Sequence, residues 1–173
     1  MREVTRIHGR YFARCIDRYG RVKWEDSFDN VICTIGKNTL LDAALAGSSY
    51  TVTGPYMGLI SGQSFTQVAA SDTMASHSGW LEAGQANLPT YSGGRITCVW
   101  SAAAGGHKGL SASLSFTFTA NGTVQGAFIA FGAGALNTVD NTAGVLLSAG
   151  QLAAGARTVQ TTDQLNLGYE LAF

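Results

Sequence analysis

The sequence predicts a mainly β protein: an antiparallel β-sandwich or jelly roll with one short helix and an N-terminal arm, in a single domain over residues 1–173. Three observations predict it. Leu110, Ala112, Leu114, Phe116 and Phe118 alternate with Ser111, Ser113, Ser115, Thr117 and Thr119, the period of a strand with one face in a core. The same alternation closes the sequence, where Leu165, Leu167, Tyr169, Leu171 and Phe173 interleave with Gln164, Asn166, Gly168, Glu170 and Ala172. Further short apolar or β-branched runs recur at spacings of roughly 8–15 residues between turn signals, giving about ten strands in all.

Taken in order, strands are expected at 11–16 (YFARCI) and 21–24 (RVKW). Asp17-Arg18-Tyr19-Gly20 joins them, with glycine in the strained position of the turn. Others are expected at 30–35, 56–60, 95–100, 145–148 and 157–161. A helix is expected at 37–46 (KNTLLDAALA), because Leu40, Leu41, Ala44 and Leu45 fall on one stripe. Asn38 or Thr39 would cap its start and Gly47 its end. Residues 123–131 (TVQGAFIAF) are apolar on both faces beyond Gly126, as in a central strand covered on both sides. Asn121-Gly122 tolerates positive φ, so 110–131 reads as a hairpin with Leu114, Phe116 and Phe118 in the core. Residues 61–94 show little periodicity apart from Met74 and Trp80, and read as a lid, a binding loop or an arm that orders on assembly.

Charged residues make up 13% of the chain, about half the usual share of roughly 25%. The deficit is uneven. Residues 1–42 hold eight of the eleven basic and six of the eleven acidic side chains. The remaining 131 residues hold only Arg95, Lys108, Arg157, Asp72, Glu82, Asp140, Asp163 and Glu170. A surface of small neutral groups suits a subunit covered by others, since interface cores are depleted in charge; it also suits a Ser/Thr-rich β protein. The formal net charge is zero, so no global field draws the chain to nucleic acid. No apolar run reaches 18 residues, so no transmembrane helix is expected. The start, MREVTRIHGR, lacks the apolar stretch of a signal peptide, which predicts synthesis in the cytoplasm. Cys15, Cys33 and Cys98 form no CxxC pair and read as reduced, buried small hydrophobes.

The chemistry-bearing residues form no recognisable catalytic or ligand pattern, so no enzyme, cofactor or metal is expected. His8, His77 and His107 lack zinc spacing. Asp72, His77 and a nearby serine have no GxSxG elbow around them. Glu25, Asp26 and Asp29 lie beside Arg21 and Lys23, as on a solvated hairpin. Asn137, Asp140 and Asn141 lack the spacing of a calcium loop. Gly132-Ala133-Gly134 lacks the lysine and following helix of a phosphate loop. Trp80, Tyr91 and Trp100, if exposed, would make a sugar platform, which keeps a carbohydrate-binding module as a reading of another class.

Arg2, Arg6, Arg10, Arg14 and Arg18 recur every fourth residue in an extended, β-branched and aromatic context. One reading is an arm over residues 1–10 whose Arg2, Arg6 and Arg10 dock on carboxylates of a neighbouring subunit through forked hydrogen bonds. The other is a strand edge protected by charge.

Three stretches carry a family resemblance. They are GRVKWEDSFDNVICTIGKNTLLDAAL (20–45), YMGLISGQSF (56–65) followed by SDTMASHSGWLE (71–82), and the Gly126–Phe131 strand with its small-residue loop and closing strand. Together they resemble small structural virion proteins of tailed bacteriophages, of the capsid cement or decoration type. The resemblance implies a jelly roll or β-sandwich, no catalytic residues, and location in the virion after synthesis in the bacterial cytoplasm. It further implies homo-oligomers and the major capsid protein as partners, with no nucleic-acid or membrane role. A tail, neck or fibre component of the same particle is the alternative. Residues 1–19 lie outside the resemblance.

Overall fold

The computed structural model describes residues 7–45 and 53–172. In chain order the elements are β1 (His8–Ile16), β2 (Val22–Asp29), β3 (Val31–Ile32), α1 (Thr34–Leu45), β4 (Tyr56–Ser61) and β5 (Ile96–Thr97). They continue with β6 (His107–Gly109), β7 (Leu114–Thr117), β8 (Gly122–Phe131), β9 (Val145–Gln151), β10 (Arg157–Val159) and β11 (Gln164–Ala172). Two antiparallel sheets result. One runs β2-β1-β11-β6, with β7 also paired to β11; the other runs β3-β9-β8-β4-β5, with β10 also paired to β8. The mainly β, sandwich-like class expected from the alternating strands is the class observed.

Period two puts one face of each strand of the first sheet inside. Tyr11, Ala13 and Cys15 of β1, Phe28 of β2, Phe116 of β7, and Leu165, Leu167 and Tyr169 of β11 are all buried. They meet Met57, Leu59, Ala127, Ile129 and Leu147 of the second sheet in one cluster. Tyr11 lies against Phe28 and Tyr169 at centroid distances of 5.1 and 4.6 Å, and its hydroxyl shares a 2.9 Å hydrogen bond with Ser148 across the sandwich. Removing a buried aromatic ring from such a core costs about 3–5 kcal/mol.

The second sheet is covered on its other face too, as the apolar run of β8 predicts. Ile60, Phe128, Ala130, Leu146 and Ala149 pack there with Cys33, Met74 and Trp80. The cover comes from the start of α1 and from the irregular segment after β4. Trp80 is buried and donates its indole N–H to Asp72 Oδ2 at 2.9 Å, and Ala70 O accepts Thr34 N at 2.9 Å. The segment read as a lid or arm is therefore a packed third layer.

Three local expectations are corrected. First, 110–131 is not a hairpin: β7 pairs with β11 in one sheet while β8 pairs with β4, β9 and β10 in the other. Neither Asn121 nor Gly122 has positive φ. Gly122 is small for another reason, since a Cβ there would lie 2.8 Å from Pro89 N. Phe116 and Phe118 are buried as expected, and Leu114 is half-buried. Second, the helix begins at Thr34, before the expected Asn38 or Thr39 cap. Its first turn sits on the β9 bulge: Cys33 N donates to Leu147 O at 3.0 Å, and a Cβ at Gly36 would come within 2.7 Å of that oxygen. Of the expected apolar stripe Leu40 packs against the core, while Leu41 and Leu45 are exposed. Gly47 lies outside the described residues. Third, β1 starts at His8, which pairs with Ala172, so residues 8–10 are strand and not arm.

Burial pushes the thiols of Cys15, Cys33 and Cys98 from 9 up to about 12. The unfolded chain releases these protons near pH 9 while the fold keeps them. Stability is therefore fully present below pH 9 and falls as pH rises from 9 toward 12. At pH 8 a water-soluble disulfide reagent is expected to modify none of the three in the native protein and all three in denaturant. One rapidly modified native thiol would contradict the burial.

Candidate functional site

The side chains of β1 at even positions point away from the core, so residues four apart share the outer face of the first sheet. Register places Arg10 between Asp29 and Glu170, Phe12 between Ser27 and Gly168, and Arg14 between Glu25 and Asn166. Arg10 donates to Ser27 Oγ at 2.9 Å and lies 5.8 Å from the Phe12 ring centroid. Arg14 pairs with Glu25 at 3.2 Å. Phe12 is 42% exposed in a shallow groove of about 490 Å³ that Arg14, Glu25, Ser113 and Asn166 also line. An adjoining recess of about 270 Å³ lies among His8, Arg10, Asp29 and Glu170. Arg10 and Arg14 thus face carboxylates of the neighbouring strands, and Arg14 closes one such pair with Glu25. Such exposed pairs contribute about 0–1 kcal/mol each and leave the face open for contacts. Of the interface residues expected, Arg10 is on this face, and Arg2 and Arg6 lie outside the described residues.

The turn between β1 and β2 extends this face. Asp17 Oδ1 accepts the backbone N–H groups of Tyr19 and Arg21 at 2.8 and 3.0 Å, and its Oδ2 accepts Arg21 Nε at 2.7 Å. Gly20, at φ +79°, completes the turn in the conformation that its sequence predicts.

At the opposite end of the sandwich the surface is apolar. A groove of about 260 Å³ opens among Leu40, Ala43, Trp100, Phe131, Leu147 and Leu171. Beside it Leu41, Leu45 and Val99 stand in solvent, the last two at 79% and 61% exposure. Sequence reasoning missed this end, because Leu41 and Leu45 read as the buried stripe of the helix.

A buried ion pair was missed as well. Arg95 donates from Nε to Glu82 Oε1 at 2.8 Å and from Nη2 to Oε2 at 2.6 Å. Its remaining reach goes to the carbonyls of Leu136 and Asn141 at 3.2 and 2.7 Å, and Asp140 N donates to Glu82 Oε2 at 2.9 Å. Desolvation raises the Glu82 carboxyl above its ordinary value, with the Arg95 hydrogen bonds opposing it. The available signal was the isolation of Arg95: no other basic residue occurs between Lys37 and Lys108.

The remaining chemistry-bearing residues are structural in their contacts. His77 stacks on Trp80 at 3.8 Å and its Nδ1 meets Trp80 O at 3.0 Å. Asp72 is held by Trp80 and by Ala69 N. Asn137 O accepts Arg95 N, which ties the 137–141 loop to the ion pair. Among the described residues no three His, Cys, Asp or Glu side chains converge as metal ligands. The sugar platform expected from Trp80, Tyr91 and Trp100 does not form. Trp80 and Tyr91 are buried, and Trp100 is half-buried edge-on to Tyr169.

Arg95→Met is expected to cost about 3–5 kcal/mol in urea unfolding, because it strands a buried carboxylate. Adding Glu82→Leu should recover only part of that, since the carbonyls of Leu136 and Asn141 and the Asp140 amide stay unpaired. A loss below about 1 kcal/mol for the single variant would contradict the burial of the pair.

No protein-family model matches the chain, and no curated protein is significantly similar to it.

Proposed function

We propose that this protein is a non-enzymatic structural component of a tailed-phage particle, a cement protein that binds the outside of the shell and bridges neighbouring capsomers. The observation that supports it best is the contrast between a closed core and an uncovered apolar end. The sandwich buries Tyr11, Phe116 and Phe128 completely, yet leaves Leu41, Leu45 and Val99 in solvent beside an open apolar groove. Exposed apolar side chains next to an open apolar groove suit a place where another chain sits. The charge-poor composition beyond residue 42 supports the same reading, as does the resemblance of most of residues 20–173 to small virion proteins.

In this reading the apolar end joins copies of the protein to each other, and the polar face of the first sheet meets the major capsid protein. An interface of about 1,600 Å² is enough for specific attachment. Bridging then adds avidity, because the second contact of each bound copy forms at high effective concentration. No helix among the described residues is long and apolar enough to cross a membrane, and no membrane contact is part of the proposal.

Quantitative mass spectrometry of purified virions tests the location. A cement protein occurs in hundreds of copies per particle, set by the shell's repeated sites. A count of about a dozen or fewer would place the protein at a neck, tail or fibre and overturn the cement assignment.

A further inference from the structure

The geometry points to the β1–β2 turn as a preformed docking finger that inserts Tyr19 into a partner protein and pairs Arg18 with a carboxylate there. This assignment rests on the cement reading, and it names the contacting element and the chemistry of its receptor.

Tyr19 is 66% exposed, and two guanidinium groups flank it. Arg18 lies 4.6 Å from the ring centroid and also donates to the Tyr19 hydroxyl; Arg21 lies 5.0 Å from the centroid. The backbone beneath is fixed: Asp17 accepts from the Tyr19 and Arg21 amides and from Arg21 Nε, and the Asp17 and Arg21 main chains bond as N to O at 2.9 Å. Little ordering entropy therefore remains to be lost when the turn docks, which is the advantage of a preorganised contact. Tyrosine and arginine are also the side chains that most often dominate interface energies.

The charges sort into used and unused. Arg21 is paired with Asp17, Lys23 with Asp163, and Arg14 with Glu25. Among the described residues Arg10 and Arg18 make no ion pair: Arg10 donates to Ser27, and Arg18 has as its one partner the tyrosine beside it. A docked carboxylate would complete it. Val22, 44% exposed, stands at the base of the turn, where it pairs with Ile16. A nucleic-acid partner fits less well, because the hairpin's five basic residues against four acidic ones leave too little net charge to track a phosphate backbone.

The test uses full-length protein and shells of the parent particle from which this protein has been removed. Wild type, Tyr19→Ala and Arg18→Ala are titrated onto nuclease-treated shells and the bound fraction is measured by sedimentation. Both side chains are exposed, so melting temperatures should match wild type within a degree or two. Tyr19→Ala is expected to weaken attachment at least tenfold. Arg18→Ala should weaken it several-fold and flatten its dependence on salt, since the lost pair is a screened one. Wild type that binds while Tyr19→Ala binds equally well overturns the finger and leaves the cement reading standing. Wild type that binds only before nuclease treatment overturns the protein receptor in favour of nucleic acid. Wild type that does not bind shells in either state overturns the cement reading, and the finger with it.

Discussion

One guanidinium, that of Arg95, holds together the segment on which closure of the sandwich depends. The chain leaves the second sheet at Glu82, which bridges to Ile60, and returns to it at Ile96–Thr97, paired with β4. Between those points it reaches across to the first sheet. There Tyr91 bridges to Phe118, Ser92 N donates to Thr117 O, and Tyr91 meets the Phe116 ring edge-on at 5.1 Å. Arg95 and Glu82 close the base of this excursion with two parallel hydrogen bonds, and the same guanidinium lies 5.3 Å from the Phe128 ring. Its contacts to Leu136 and Asn141 fix the β8–β9 connection as well. A buried pair repays its desolvation only when its remaining donors and acceptors are met. Here backbone carbonyls and the Asp140 amide meet them, so one polar cluster ties together the β4–β5 and β8–β9 connections.

The parts of the fold that rest on local period were legible in the sequence. β11 alternates strictly, and the apolar run of β8 reported a strand with both faces covered. The parts that rest on distant partners were not. Asn121-Gly122 carries a strong local hairpin signal, but the chain there crosses between sheets, and the glycine is required by the approach of Pro89. Residues 62–81 have no periodicity because their order comes from side chains such as Trp80 and Met74 dropping onto a finished sheet. The helix start was misplaced for a related reason: Gly36, a poor helix residue by propensity, is needed where α1 touches the backbone of Leu147. The arginine series was noticed, but its spacing of four fits one face of a helix and one face of a strand equally. Only the register with β2 and β11 reveals the carboxylates that accompany it.

The surface divides by chemistry in a way that fits a subunit with two kinds of neighbour. The β1–β2 hairpin carries five of the eleven basic and four of the eleven acidic residues, with Arg14–Glu25 paired across the strands beside Phe12 and Asp17–Arg21 paired in the turn beside Tyr19. The opposite end, around α1 and Trp100, is apolar and open. Polar, directional contacts discriminate among partners, while apolar contacts supply area with little direction. On the proposed reading, the first kind of contact serves the shell and the second the protein's own copies.

The most direct test is a density map of the parent particle at a resolution that traces side chains. The expected map shows this protein on the outer surface of the shell, with Tyr19 buried against the capsid protein and the Leu41–Leu45 end of α1 against another copy. A map that places the protein in the tail or neck, or that leaves both the β1–β2 turn and the α1 end in solvent, contradicts the proposal.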